Sequence, residues 1–280
     1  MEDHRYGNED IPNCAPTASV PPRPGWAIYE TMSGGEAMTT VSHDDGERSF
    51  LLTNRSFELM GAHLNHLFLA LLLKKRREVQ RTINVMDVGG GVNSTCVRGM
   101  LAHPVIGHHL HTAINVDLFA RELAHDFLAR DGVDSSHFAA LNDDIMRVPL
   151  TDATIDAAVS YQMLDSVPLS RMHPTLHRIA MLLSPGGEAY LEESRLTHAA
   201  TGGWIISPRT HLDPRNPAWH WLIQIAQQTS VCIAPYRVGN RSMLWMGKWD
   251  PQRAAFPVVG DLSSVADILH KAAQMYALVR

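Results

Sequence analysis

The run Ile83-Asn84-Val85-Met86-Asp87-Val88 passes directly into Gly89, Gly90 and Gly91, and this junction restricts the fold more than any other stretch. A short, largely β-branched apolar run that stops at glycine reads as a buried strand. Ser94 and Thr95 follow with N-cap chemistry for a helix. Strand, glycine turn and helix N-terminus together make a place where backbone approaches a ligand closely. The spacing is not the dinucleotide-binding G-x-G-x-x-G, because Asn93 stands near the position of the third glycine.

Strand and helix patterns then alternate from residue 83 to about 193. Helices are expected at Thr95 to Ala102, Phe119 to Arg130 and Ser170 to Leu183, and Ser184-Pro185-Gly186-Gly187 is a stop-and-turn signal. Alternation of this kind calls for an α/β fold, a doubly wound, mostly parallel sheet with helices on both faces. A helix is expected at Ala218 to Gln228. Two further strands, Ser230 to Tyr236 and Ser242 to Trp249, flank Gly239-Asn240 and predict an antiparallel closing hairpin at or near the sheet edge. Four regions follow from this reading: a flexible, proline-rich arm over 1–25, a helical cover over 26–82, the α/β domain over 83–250 and a helical tail over 251–280. Helical spacing of Phe57, Met60, Leu64, Leu67, Phe68 and Leu71 supports the cover.

Ligands of open α/β sheets bind outside the carboxyl ends of the strands. Asp87, Asp117, Asp144, Tyr161 and Glu193 all fall at or just past such ends. The ordered set Asp87-Val88-Gly89-Gly90-Gly91, Ile114-Asn115-Val116-Asp117, Asn142-Asp143-Asp144-Ile145 through Val148-Pro149-Leu150, Ile155 to Ser160, and Ser184-Pro185-Gly186-Gly187 through Glu193 resembles the class I S-adenosylmethionine-dependent methyltransferases. The resemblance covers roughly residues 83 to 193 and implies a Rossmann-like fold, a transferase activity and S-adenosyl-L-methionine as cofactor.

It also implies roles. Asp87 and the backbone of Gly89, Gly90 and Gly91 would hold the methionyl end, the acid favouring its cations. Asp117 would accept from both ribose hydroxyls. Asp144 would accept from the adenine amino group, the Ile145 amide would reach a ring nitrogen, and Leu118 and Met146 would sandwich the ring.

The acceptor end is less legible. Relatives often carry an apolar-His-His-apolar-Pro segment after the fourth strand, whereas here the run is Tyr161-Gln162-Met163-Leu164-Asp165-Ser166-Val167-Pro168. Tyr161 suits a contact with the methionyl group or the sulfonium, since an aromatic face attracts a cation. Asp165 and Glu193, with Glu192 behind them, are the candidates for a base. Two other readings stay open. The cofactor's own amino group could displace thioether and close a ring, releasing methylthioadenosine, or the chain could be a non-catalytic cofactor-binding subunit.

Composition limits the partners. A formal net charge of −5 over 280 residues gives no reason to expect nucleic acid, so a small-molecule substrate is the expectation, in secondary metabolism. The longest apolar stretch, Leu67 to Leu73, is too short to cross a bilayer, and the N-terminus has no apolar signal region. Cys14, Cys96 and Cys232 are scattered without metal or disulfide spacing, which fits a reducing cytosol. His103, His108, His109 and His111 cluster without an accompanying motif, so no metal is expected. A homodimer is left open. Trp204, Trp219, Trp221, Trp245 and Trp249 concentrate in the last third and either line an acceptor pocket or pack in the core.

Overall fold

The computed structural model describes residues 26–33, 36–43, 49–54, 81–91, 94–102, 107–118, 121–130, 132–160, 163–192, 205–211, 220–238 and 241–257. The chain divides into two compact units, Met1–Gly61 and Ala62–Arg280.

In the first unit three strands, β1 (Trp26–Ser33), β2 (Glu36–His43) and β3 (Ser49–Asn54), form an antiparallel sheet in that order. Trp26 pairs with His43 and Ser33 with Glu36, so β1 and β2 run in unbroken register on either side of Gly34-Gly35. The first half of the expected helical cover is therefore a sheet. A Gly-Gly pair between two eight-residue stretches that carry Ile28, Tyr29, Thr31, Thr39, Thr40 and Val41 is a hairpin signal that outweighs any helical reading of residues 26–54. The helix expected near residues 56–78, the arm over 1–25 and the tail helix at Leu262 to Leu278 lie outside the described residues.

The second unit is the α/β domain. Its strands are β4 (Ile83–Val88), β5 (Leu110–Asp117), β6 (Phe138–Asn142), β7 (Ile155–Ser160), β8 (Leu183–Glu192), β9 (Val231–Val238) and β10 (Arg241–Lys248). They make one seven-stranded sheet in the order β6-β5-β4-β7-β8-β10-β9. The ladders joining β6, β5, β4, β7 and β8 are parallel, and β10 runs antiparallel to both β8 and β9. The doubly wound sheet with its closing hairpin is as expected, and β10, not β9, is the strand that inserts beside β8.

Helices α1 (Thr95–Ala102), α2 (Arg121–Arg130), the one-turn α3 (Met163–Ser166), α4 (Leu169–Leu182) and α5 (His220–Thr229) connect the strands. Two cores result, one on each face. Val85, Val97, Met100, Ala113, Leu128 and Trp245 fill the face under α1 and α2. Met86, Ile114, Ala158, Leu176, Ile179, Ile225 and Leu244 fill the face under α4 and α5. Alternation along each strand assigns the faces. Ile83 and Val85 point one way and Met86 and Val88 the other, which places Asp87 on the α1 face.

The end of the sheet away from the strand carboxyl termini is tied by Asp156. Its buried carboxylate accepts from the two terminal guanidinium nitrogens of Arg81, at 2.9 and 2.6 Å, from the Asn84 main-chain amide at 3.0 Å and from the Ser184 hydroxyl at 2.8 Å.

Candidate functional site

Because β4, β5, β6 and β7 are parallel, their carboxyl ends share one rim. A cavity of about 220 Å³ opens there, lined from β4 by Val88 and Gly89, from β5 by Val116, Asp117 and Leu118, and beyond β6 by Asp143, Asp144 and Ile145. Met163 of α3, Val167 and Pro168 of the following turn, and Arg171 and Thr175 of α4 close it.

The glycine turn is built by geometry that only glycine meets. Gly89 has φ 75° and Gly91 has φ 71°, in the left-handed region. A methyl group on Gly89 would run into the Met163 side chain, and one on Gly90 would meet the carboxylate of Asp87 and the amide oxygen of Asn115. The turn is pinned to β5 at several points. The Gly89 amide donates to Val116 O at 2.7 Å and the Gly91 amide to Asp117 Oδ2 at 3.0 Å. Asn115 Nδ2 donates to Gly91 O at 2.8 Å and to Ser94 Oγ at 2.6 Å.

The three acids stand in different environments. Asp87 is 1 % exposed and lies beneath the glycine turn rather than on the cavity wall. Burial, and then the charge of Asp117, raise its pKa to about 7, against a lowering hydrogen bond with Cys96. Its Oδ1 has no hydrogen-bond partner. Asp117 is half-buried and faces the cavity. Asp144 also faces it. Desolvation works to raise its pKa, but the Met146 amide and the Arg171 guanidinium outweigh that and hold it below the ordinary carboxylate value. Arg171 forms an ion pair with Asp144 Oδ2, and the Met146 amide donates to Oδ1 at 3.0 Å.

The structure thus brings Gly89, Asp117, Leu118, Asp144 and Ile145 to one cavity, with Asp87, Gly90 and Gly91 directly behind it. Leu118, 52 % exposed, lines the cavity, whereas Met146, 38 % exposed, is not among its lining residues. Tyr161 and Glu193 lie outside the described residues, as does the side chain of Asp165, whose backbone sits in α3. The tryptophan question resolves toward packing where it is described. Trp245 is 2 % exposed and donates to Glu188 Oε1 at 3.1 Å, Trp249 stacks edge-on with Phe256, and Trp221 packs edge-on against His173. None of the three lines the cavity.

Sequence reasoning missed Met163, Thr175 and Arg171. Their only sequence signal is the i, i+4 spacing of Arg171 and Thr175, which puts both on one face of α4. It also missed Asn115, although a residue two before Asp117 on one strand shares its face.

The strand order and a binding cavity beyond the strand carboxyl ends define an α/β enzyme fold of the methyltransferase type. Residues 86–191 match the family model described as a methyltransferase domain, which supports a class I S-adenosylmethionine-dependent methyltransferase. The domain match supports the enzyme class and the cofactor: a SAM-dependent methyltransferase that uses S-adenosyl-L-methionine.

Among solved structures, the chain is similar to a protein of Methanococcus maripaludis assigned as an S-adenosyl-L-methionine-dependent methyltransferase, with 11% identity over 70% of this chain and 92% of that one and a TM-score of 0.45. It is similar to an O-methyltransferase family protein from Burkholderia thailandensis, with 13% identity over 61% of this chain and 52% of that one and a TM-score of 0.41. It is also similar to magnesium protoporphyrin IX methyltransferase from Synechocystis PCC 6803, with 11% identity over 66% of this chain and 79% of that one and a TM-score of 0.41. At these scores the likenesses carry no functional weight. No curated protein matches the sequence.

The residues fit the cofactor. The bare backbone at Gly89 offers close approach, a carboxylate faces the cavity from β5, a second one stands beyond β6, and apolar side chains flank the space between them. Among the described residues no helix is long and apolar enough to cross a membrane, and no group of three or more His, Cys, Asp or Glu is placed to hold a metal.

Proposed function

We propose that this protein transfers a methyl group from S-adenosyl-L-methionine to a small molecule of secondary metabolism. The observation that carries the reading is the single cavity shared by Gly89, Asp117 and Asp144 at the strand carboxyl ends. Bound there, the cofactor supplies an electrophilic methyl carbon. Asp117 accepts from the ribose, Asp144 accepts from the adenine amino group, and Leu118 with Met146 covers the ring. Asp87 adds negative potential from below the turn, which favours a cationic methionyl end without touching it.

Methyl transfer is an in-line displacement, so the protein's work is alignment and exclusion of water. Tyr161, Asp165 and Glu193 are the residues proposed to face the acceptor, Tyr161 beside the sulfonium and the two acids as candidate bases. The free, buried Cys96 and Cys232 support a reducing, cytoplasmic setting.

Incubation with S-adenosyl-L-methionine alone and then with candidate acceptors, followed by mass spectrometry, tests the reading. S-adenosylhomocysteine formed only with an acceptor supports it. Methylthioadenosine formed without one assigns ring closure instead, and absence of cofactor binding by calorimetry overturns both.

A further inference from the structure

We infer that Arg171 is a positioning residue that fixes Asp144 as an ionised, acceptor-only carboxylate, and so makes the site select a 6-amino purine over a 6-oxo purine. The inference deepens the cofactor reading of the cavity and rests on it.

Asp144 stands just past the end of β6 and Arg171 in the first turn of α4, 27 residues away in sequence. Both line the same cavity. The Asp144 side chain is 16% exposed and that of Arg171 56%, so the pair joins a largely desolvated acid to a cation that reaches it from solvent. The neighbouring cation, Arg147, pairs with Asp143 at 2.7 Å on the adjacent turn and acts on Asp144 by charge, without a hydrogen bond. Arg171 is therefore the cation in hydrogen-bonding contact with Asp144.

The consequence follows from counting lone pairs. An ionised carboxylate has about four acceptor sites. On Asp144 one is taken on Oδ1 by the Met146 amide and one on Oδ2 by Arg171, in fixed directions. What remains is acceptor capacity with no proton to donate. An exocyclic amino group satisfies it. A 6-oxo group presents a lone pair to a carboxylate that cannot turn or protonate, and is repelled. Without Arg171 the acid loses one of the contacts that hold its orientation and one of the interactions that hold its pKa down, so it can rotate, meets the amino group less well and repels the oxo group less.

The test is calorimetric binding of S-adenosylhomocysteine and its deaminated analogue S-inosylhomocysteine to the full chain, as wild type, Arg171→Ala and Arg171→Lys, from pH 7 down to pH 4, read as the ratio of the two affinities so that the titration of Asp87, common to both ligands, cancels. Wild type is expected to prefer the adenine ligand by at least about tenfold, the scale of one unsatisfied hydrogen bond to a charge. Arg171→Ala should lower that preference several-fold, chiefly by weakening the adenine ligand, and should move the loss of the preference on acidification to higher pH. Arg171→Lys, which keeps the charge, should restore the pH profile and part of the preference. Equal weakening of both ligands in Arg171→Ala, or an unchanged preference and pH profile, overturns the inference and leaves the cofactor reading standing. Failure of wild type to bind the adenine ligand overturns the cofactor reading itself, and this inference with it.

Discussion

The main-chain amide of Gly91 donates to the carboxylate of Asp117 at 3.0 Å, so the acid at the end of β5 holds the glycine turn that follows β4. One side chain therefore shapes the cradle and faces the cavity. Asp117→Ala removes a charge-assisted hydrogen bond and the proposed ribose acceptor together. Cofactor affinity measured by calorimetry should fall by about ten- to a hundredfold. Asp117→Asn, which keeps an acceptor oxygen, should lose less.

Gly90 is packed against Asp87 and Asn115, and Gly89 combines φ 75° with the Met163 side chain above it. Gly90→Ala should destabilise the domain by about 1–3 kcal/mol through overpacking. Gly89→Ala adds the left-handed backbone cost of about 1–2 kcal/mol and should be the more damaging of the two. Thermal unfolding of the paired variants checks the order, and equal midpoints would contradict it.

Asp87 gives the domain a pH dependence whose sign can be worked out. The carboxyl ionises near 3.8 in the unfolded chain and near 7 in the folded one, so between these values the folded state carries the extra proton. Stability from this group is full below about pH 4, declines as pH rises toward 7 and levels off above. Asp87→Asn should flatten the decline between pH 5 and 7 in urea unfolding. A cationic ligand favours the ionised form, so cofactor binding near pH 6.5 should release protons in wild type and not in Asp87→Asn. Calorimetry in two buffers of different ionisation enthalpy reads this directly.

Asp156 is 2 % exposed and is paired with Arg81 while also accepting from Asn84 and Ser184. Its loss leaves buried donors without a partner. Asp156→Ala should cost about 3–5 kcal/mol, a drop in melting temperature on the order of ten degrees. It acts at the end of the sheet opposite the cavity, so cofactor affinity of the remaining folded protein should change by less than about threefold.

Much of this molecule was legible because its signals are local. The strand Ile83–Val88 and the helix Thr95–Ala102 appear at the expected bounds, since apolar runs, glycine stops and N-cap residues act within a few positions of themselves. The ordered acids were legible for a related reason: Asp87 and Asp117 fall in the last two positions of β4 and β5, and Asp144 two residues past β6. Residues 26–54 were misjudged because Gly34-Gly35 admits either a hinge or a hairpin, and pairing between β1 and β2 decides.

The sequence alone determined the parallel α/β domain, the glycine turn and the candidate carboxylates, because strand and helix periods and backbone-permissive glycines are properties of short stretches. Tertiary structure decided which carboxylates share a cavity. Strand alternation turned Asp87 under the turn, parallel packing set Asp117 and Asp144 at one rim, and the placement of α4 brought Arg171 to Asp144. Those outcomes depend on which faces are packed together and which groups lose water in doing so, and no spacing along the chain encodes that.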